Sequence, residues 1–297
     1  MRRILLIVNP YSTGVTLERL GAVQQVLGKD FDVQTRQTHG RGHAAELARG
    51  AIGNADAIAV FSGDGTYNEA VNGADGALPF GFLPGGGASV LPRALGLPRD
   101  PVRAAVDVRD ALLAGRTRTI SLGKVNGRRF TFSAGIGFDA EAVRRVDGKG
   151  RTADGARAGN GAFVTTIVAI LLESRMRMEP QLEIDGFGRA AFVFVANGRP
   201  YTYVGPVPLQ MTRRGEFAGG LDFVAPRRLS PASVPRMALH IFRGTEHGDD
   251  DLLAGHDLDA FTVRCDRPLP LQVDGEDLGD VTEAEFTTER NALEVLV

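Results

Sequence analysis

Ala57-Ile58-Ala59-Val60-Phe61-Ser62-Gly63-Asp64-Gly65-Thr66-Tyr67-Asn68-Glu69-Ala70-Val71-Asn72-Gly73 joins a short apolar run to a helix-like stretch through a glycine-bounded bend. Ala57 to Phe61 is apolar on both faces, the pattern of a buried parallel strand. Thr66 with Glu69 three residues on fits a capping box, which predicts a helix starting at Thr66. Gly63 and Gly65 between strand end and helix start let backbone N–H groups approach a ligand closely. A helix N-terminus adds free donors and partial positive charge, which suit a phosphate. Asp64 stands out, because a carboxylate beside polyphosphate is repelled unless a divalent cation or hydrogen bonds intervene. The bend therefore suggests nucleotide phosphates with magnesium on Asp64. An ordinary strand-to-helix turn explains the same residues equally well.

Working outward, the first third alternates strands and helices. Arg3 to Val8, Phe31 to Thr35, Ala57 to Phe61 and Leu78 to Leu83 read as strands. Leu17 to Leu27, His43 to Arg49 and Pro101 to Ala114, ending at Gly115, read as helices. Such alternation predicts a parallel sheet covered on both faces. Phosphate loops in these sheets sit at the carboxyl ends of strands. Asn9-Pro10, Ser62 to Thr66 and Pro84 to Ser89 all fall there, so three loops are expected to converge on one crevice.

After Arg116 the pattern changes. Arg118 to Val125, Asn126-Gly127 and Arg128 to Ser133 read as a hairpin. Further strand-like runs are Gln181 to Ile184, Ala190 to Ala196, Leu221 to Val224, Phe261 to Cys265, Leu269 to Val273 and Leu293 to Val297. One helix, Gly161 to Arg175, interrupts them, and the Gly-, Arg- and Asp-rich stretch from Asp147 to Asn160 reads as a mobile loop. The expected class is α/β plus β. An α/β nucleotide-binding domain over 1–117 precedes a mostly antiparallel β-sandwich over 118–297 that contributes the acceptor site and catalytic base.

Composition narrows the field. The 297 residues suffice for two domains, and 43% hydrophobic with 24% charged residues is ordinary for a soluble globular chain. A net charge of −2 offers no basic field for nucleic acid. Cys265 is the only cysteine, which excludes an internal disulfide and suits a reducing compartment. The apolar N-terminal run is too short for a signal peptide, and Ala162 to Leu172 falls below the roughly 20 residues that span a bilayer. The expectation is a cytoplasmic protein, with any membrane contact peripheral to the inner face. Oligomeric state is left open, a homodimer included.

The ordered set of motifs resembles the diacylglycerol kinase catalytic family, which includes bacterial lipid kinases and sphingosine kinases. Asn9-Pro10-Tyr11-Ser12-Thr13-Gly14 is similar to its opening motif. Thr38-His39-Gly40-Arg41-Gly42-His43-Ala44 resembles the segment after the second strand. Ser62 to Thr66 with Asn68-Glu69 and Asn72-Gly73 resembles the nucleotide loop, and Pro84-Gly85-Gly86 through Gly96 the next glycine loop. Ala134-Gly135-Ile136-Gly137-Phe138-Asp139-Ala140 and Val273-Asp274-Gly275-Glu276 resemble two motifs of the second domain. The resemblance implies transfer of the ATP γ-phosphoryl group to a lipid hydroxyl, in a cleft between the two domains. It implies nucleotide contacts at Asn9, Thr38, Ser62, Gly63, Asp64, Gly65, Thr66, Glu69, Gly85, Gly86 and Gly87. It implies Asp274 as the general base, with Glu276 supporting it or the metal. Phosphoryl transfer needs chiefly positioning and charge stabilisation, and a carboxylate to orient the hydroxyl.

Residues also carry plainer readings. Asp274-Gly275 after an apolar strand is a hairpin turn signal. Asn9 fits an Asx turn, and Thr38 a cap on the helix through His43. His39 and His43 have metal-ligand spacing without supporting acids. Cys265 reads as a small core residue. Three stretches depart from the family. Gly86-Gly87-Ala88-Ser89-Val90 lacks a threonine and two polar side chains, so fewer side-chain contacts to phosphate are expected. Arg199-Pro200-Tyr201-Thr202-Tyr203-Val204 replaces a glycine-rich patch, and its tyrosines line an acceptor pocket or pack in the sandwich. Ala218-Gly219-Gly220-Leu221-Asp222 has Ala218 where a carboxylate would help hold a structural magnesium, so no such ion is expected. Two alternatives remain: an NAD kinase-like phosphotransferase, or a nucleotide- or lipid-binding regulator without turnover. Membrane contact would fall on the Phe163 to Leu172 helix or the basic stretch Arg144 to Arg157.

Overall fold

A computed structural model describes residues 1–148, 160–205, 207–210, 215–243 and 251–297. The chain divides into two compact units, Met1–Ile120 with Asn291–Val297, and Ser121–Arg290. Most of the stretch expected to be a loop after Asp147, and with it most of the basic run to Arg157, lies outside the described residues.

In the first unit β1 (Arg3–Val8), α1 (Leu17–Leu27), β2 (Asp32–Gln37), α2 (His43–Ala51), β3 (Ala57–Ser62), α3 (Asp64–Ala74), β4 (Phe80–Pro84), α4 (Val90–Ala94) and α5 (Pro101–Ala114) follow in order. The strands are parallel, with β1 paired to β2 and β3, and β3 to β4. Every residue of β3 and β4 is buried, as the continuous apolar runs require of strands covered on both faces. On one face β1 and β3 pack Ile4, Leu6, Ala59 and Phe61 against Leu20, Val23 and Leu27 of α1 and Ala104, Val108 and Leu112 of α5. At α5, Asp100 caps the start by accepting from the Arg103 amide, Pro101 occupies the first turn, and Gly115 ends the helix in the left-handed region.

The strand order β4-β3-β1-β2 reverses direction between β1 and β3. In open parallel sheets such a reversal sends successive loops toward opposite faces and is where ligands bind, at the carboxyl ends of the two strands. That point positions Asn9 beside Ser62.

The second unit contains the rest of β5 (Thr117–Val125), then β6 (Arg128–Phe130), β7 (Ser133–Ile136), α6 (Phe138–Gly148), α7 (Asn160–Glu173), β8 (Leu182–Ile184), β9 (Gly188–Ala190), β10 (Val193–Ala196), β11 (Thr202–Val204), β12 (Val207–Leu209), β13 (Leu221–Pro226), α8 (Val234–Arg243), β14 (Leu252–Leu258), β15 (Ala260–Val273) and most of β16 (Glu276–Leu296). The pairings among β7, β8, β10, β13, β14, β15 and β16 are antiparallel. β15 serves two layers. Val263 to Cys265 pair with β8, whereas Leu271 to Val273 pair with β7. Its pairing with β16 slips between Arg264 and Leu269, where Pro268 and Pro270 withhold ladder donors. The two expected strands, Phe261 to Cys265 and Leu269 to Val273, are thus one irregular strand. Between the layers Ile136, Val195, Phe223 and Leu271 share a core with Leu182, Val263, Phe130 and Phe286.

Four expectations need correction here. The helix after β3 begins at Asp64 with Gly63 as its N-cap, so Thr66 lies inside it and no capping box forms with Glu69. The Asn126-Gly127 hairpin forms, but its second arm ends at Phe130 and Ser133 starts a separate strand. The second unit holds helices α6 and α8 in addition to α7, where a single helix was predicted. Asn291 to Val297, expected in the second domain, belong to the first unit, where Val295 extends the parallel sheet beside Phe80.

Candidate active site

In the first unit the loops after β1, β3 and β4 meet. The Gly14 amide donates to the Gly85 carbonyl at 2.8 Å, and the Gly85 amide to the Ser62 carbonyl at 2.7 Å. A Cβ on Gly86 would lie 2.7 Å from the Gly63 Cα, so this approach of backbone to backbone requires a glycine. A chain of hydroxyls crosses the junction. Ser62 Oγ donates to Thr66 Oγ1 at 2.7 Å and lies 2.9 Å from Ser12 Oγ. Asn9 Nδ2 donates to Thr66 Oγ1 at 3.3 Å, while Asn9 Oδ1 accepts from the Tyr11 amide at 3.0 Å. Asn9 therefore makes its Asx turn and bridges two loops at once. Beneath them the buried Tyr67 hydroxyl lies 2.7 Å from the carbonyls of both Ser62 and Leu83, tying the ends of β3 and β4. Its hydroxyl is pushed well above the usual phenol range by burial, with the Asp64 charge adding to this.

Asp64 clamps the third loop. Its carboxylate oxygens accept from the Val90 amide at 2.9 Å and the Leu91 amide at 3.0 Å, at the start of α4. Ser89, in the left-handed region at φ 44°, folds back so that its Oγ accepts from the Gly86 amide at 3.2 Å and donates to the Gly86 carbonyl at 3.1 Å. Gly65 lies within α3, and Gly87 has open space where a side chain would be. Thr38 is buried, and its amide extends the β1–β2 ladder to the Val8 carbonyl at 2.9 Å. It does not cap α2, whose N-cap is Gly42. The His39 amide donates to His43 Nδ1 at 3.1 Å and the two rings stack. Glu69 is half-buried and has no hydrogen-bond or ion-pair partner among the described residues.

In the second unit Asp274 and Gly275 have φ of 47° and 79°, between paired Val273 and Glu276. This is the two-residue hairpin turn that Asp-Gly favours. The Asp274 side chain is nonetheless turned inward and buried. Its Oδ2 accepts from the Thr131 amide at 2.7 Å and the Thr131 hydroxyl at 2.8 Å. Its Oδ1 accepts from the amides of Phe132 at 3.0 Å and Ser133 at 3.1 Å. Donors on both oxygens complement a negative carboxylate. Asn197, fully buried, donates through Nδ2 to the carbonyls of Thr131 at 2.9 Å and Ser121 at 2.7 Å, holding the strand end that holds Asp274. Glu276 Oε2 lies 3.7 Å from Arg128 Nη2. Thr131, Asn197 and Gln272 were not singled out from the sequence. Only the Asn197-Gly198 pair, directly after an apolar strand, marks one of them.

Residues 3–125 match the family described as the diacylglycerol kinase catalytic domain. These residues belong to the diacylglycerol kinase catalytic family. The chain is 27% identical to a diacylglycerol kinase of Bacillus subtilis, over 96% of this chain and 93% of the relative. A crystal structure of a diacylglycerol kinase from Bacillus anthracis has the same fold, with a TM-score of 0.73 at 19% identity, covering 99% of this chain and 96% of that one. An NAD kinase from Archaeoglobus fulgidus in complex with ATP shares the architecture more loosely, with a TM-score of 0.54 at 12% identity over 99% of this chain and 93% of that one.

In the altered glycine loop, Ser89 and Asp64 supply the side-chain contacts that close the loop. In the Ala218 to Asp222 segment, buried Asp222 Oδ1 accepts from the Asp257 amide at 2.9 Å and lies 2.7 Å from His256 Nδ1. Tyr201 packs in the sandwich core and its hydroxyl bonds to Asp139, so the reading of Tyr201 as an acceptor-pocket wall is set aside.

Proposed function

We propose that this protein is an ATP-dependent lipid kinase that phosphorylates the hydroxyl of a lipid alcohol, diacylglycerol first among them. The observation that carries the reading is the meeting of the three loops at the β1/β3 reversal. Backbone amides and the Ser12, Ser62 and Thr66 hydroxyls there make a polar floor of the kind that receives phosphates. The Bacillus subtilis relative named diacylglycerol kinase and the ATP-bound NAD kinase neighbour support the substrate and the nucleotide.

In this reading the acceptor oxygen attacks the γ-phosphorus, ADP leaves, and the hydroxyl proton passes to Asp274. The amides of Thr131, Phe132 and Ser133 hold the carboxylate, while the Thr131 hydroxyl is a donor that can rotate. The acceptor hydroxyl takes that donor's place at Oδ2. Glu276 supports the turn. No group of three or more His, Cys, Asp or Glu side chains suited to a metal occurs among the described residues. Both oxygens of Asp64, the residue expected to hold magnesium, face amides of α4. The described residues do not make a protein cage for a magnesium ion.

A lipid acceptor also requires contact with a membrane surface. Val164, Val168 and Leu172 form an exposed apolar stripe along α7, four residues apart, and are the proposed contact. No helix among the described residues is long and apolar enough to cross a membrane.

The test is transfer of label from radiolabelled ATP to diacylglycerol in mixed micelles, with other lipid alcohols and NAD as competing acceptors. Label in phosphatidic acid supports the reading, and label in NADP replaces it with the NAD kinase alternative. One observation favours a regulator without turnover: the Gly86, Val90 and Leu91 amides are already paired. Tight ATP binding without transfer to any acceptor would establish that role.

A further inference from the structure

A buried polar chain leads to the Asp274-Gly275 turn, and the mechanism above does not use it. Asp139 stands in the first turn of α6 and is 4% exposed. Its carboxylate lies over Gly135, where a Cβ would come within 2.3 Å of Oδ2, so any side chain at that position would expel it. Oδ2 accepts from the Tyr201 hydroxyl and from Gln272 Nε2, the latter at 2.9 Å. Gln272 Nε2 also donates to the Tyr201 hydroxyl at 3.0 Å. At the other end of the same amide, Gln272 Oε1 accepts from the Gly275 amide at 2.9 Å.

An amide carries its donors and its acceptor at opposite ends. Holding Nε2 against Asp139 and Tyr201 therefore dictates that Oε1 faces Gly275. Oδ1 of Asp139 is buried and has no hydrogen-bond partner among the described residues. Burial pushes the carboxyl up to about 6, against the opposing bonds from Tyr201 and Gln272. A buried acid with an unsatisfied oxygen costs folding free energy that an apolar residue would not.

We propose that Asp139 is a positioning residue: acting through the Gln272 amide, it sets the Asp274-Gly275 turn so that Asp274 can meet the acceptor hydroxyl. The proposal rests on the assignment of Asp274 as the base. Asp139 itself touches neither nucleotide nor acceptor in this account.

The test compares Asp139→Ala, Gln272→Met and the double variant in the full chain, by steady-state kinetics with radiolabelled ATP and diacylglycerol micelles. Each single change is expected to lower kcat roughly 100-fold, the loss typical of a reacting group displaced by about 1 Å. KM for ATP should stay within about twofold, since the nucleotide loops are untouched. The double variant should be no slower than the worse single one, because both cut the same chain. Losses that multiply, or a folded Asp139→Ala protein with parental kcat, overturn the proposal. Gln272→Met keeps the side-chain volume and decides the matter if the alanine variant does not fold: parental kcat refutes the link and a large loss at constant KM supports it. Asp274→Asn, run in parallel, separates the two claims. Full activity there removes the base assignment, whereas an inactive Asp274→Asn beside a fully active Asp139→Ala removes only the positioning role.

Discussion

Replacing Asp139 with Asn removes a titrating group from an enclosed site while keeping its shape. Burial raises this carboxyl from 3.8 to about 6. The folded protein thus binds the proton more tightly than the unfolded chain does. The stabilising contribution is complete below about pH 4 and is lost as pH rises through about 6. At about 1.4 kcal/mol per pH unit the whole swing is about 3 kcal/mol, of which about 2 kcal/mol falls between roughly pH 4.5 and 7.5. Asparagine has no such dependence. Urea unfolding of both proteins across that range should therefore show the variant gaining about 2 kcal/mol on its parent toward the alkaline end. All other titrating groups are common to the pair and cancel in the difference. A difference that stays constant with pH would refute the reasoning, because it would mean Asp139 ionises as freely in the fold as in the unfolded chain.

Asp64→Ala leaves the Val90 and Leu91 amides without their carboxylate, at about 1–3 kcal/mol for each buried donor. Chemical denaturation should show that loss, and calorimetry a weaker ATP affinity. Gly86→Ala puts a Cβ 2.7 Å from the Gly63 Cα; the loops must part, and ATP affinity should fall about tenfold or more with about 1–3 kcal/mol of stability. Val168→Asp places a charge on the exposed stripe of α7, so co-sedimentation with diacylglycerol-containing vesicles should drop while transfer to a short-chain soluble acceptor persists.

Where each element's signal was local, the sequence was informative. β1, α1 and α5 form over the residues that strand patterning, apolar spacing and capping chemistry mark, because Asp100, Pro101 and Gly115 act within one turn of the chain. The Asn126-Gly127 and Asp274-Gly275 turns follow from residues that tolerate positive φ. The start of α3 was misplaced because Gly63 caps it through its backbone alone, a signal weaker than the false Thr66–Glu69 box. Thr66 instead spends its hydroxyl on Ser62 and Asn9, contacts across 4 and 57 positions of sequence. Long separation also hid the rest of the site. Thr131 and Asp274 lie 143 positions apart, and Gln272 and Asp139 lie 133 apart. Helix α6 escaped notice because its polar residues Asp139, Glu141, Arg144 and Arg145 find partners in the fold, which makes a helix packed on the sandwich look like surface.

Mixing the purified protein with radiolabelled ATP and diacylglycerol micelles, then resolving the lipids, decides whether Asp274 serves a lipid kinase. The account predicts labelled phosphatidic acid from the parent protein and its loss in Asp274→Asn, with ATP still bound. Unlabelled lipid from a folded, ATP-binding parent, or undiminished label from the Asp274→Asn variant, would contradict it.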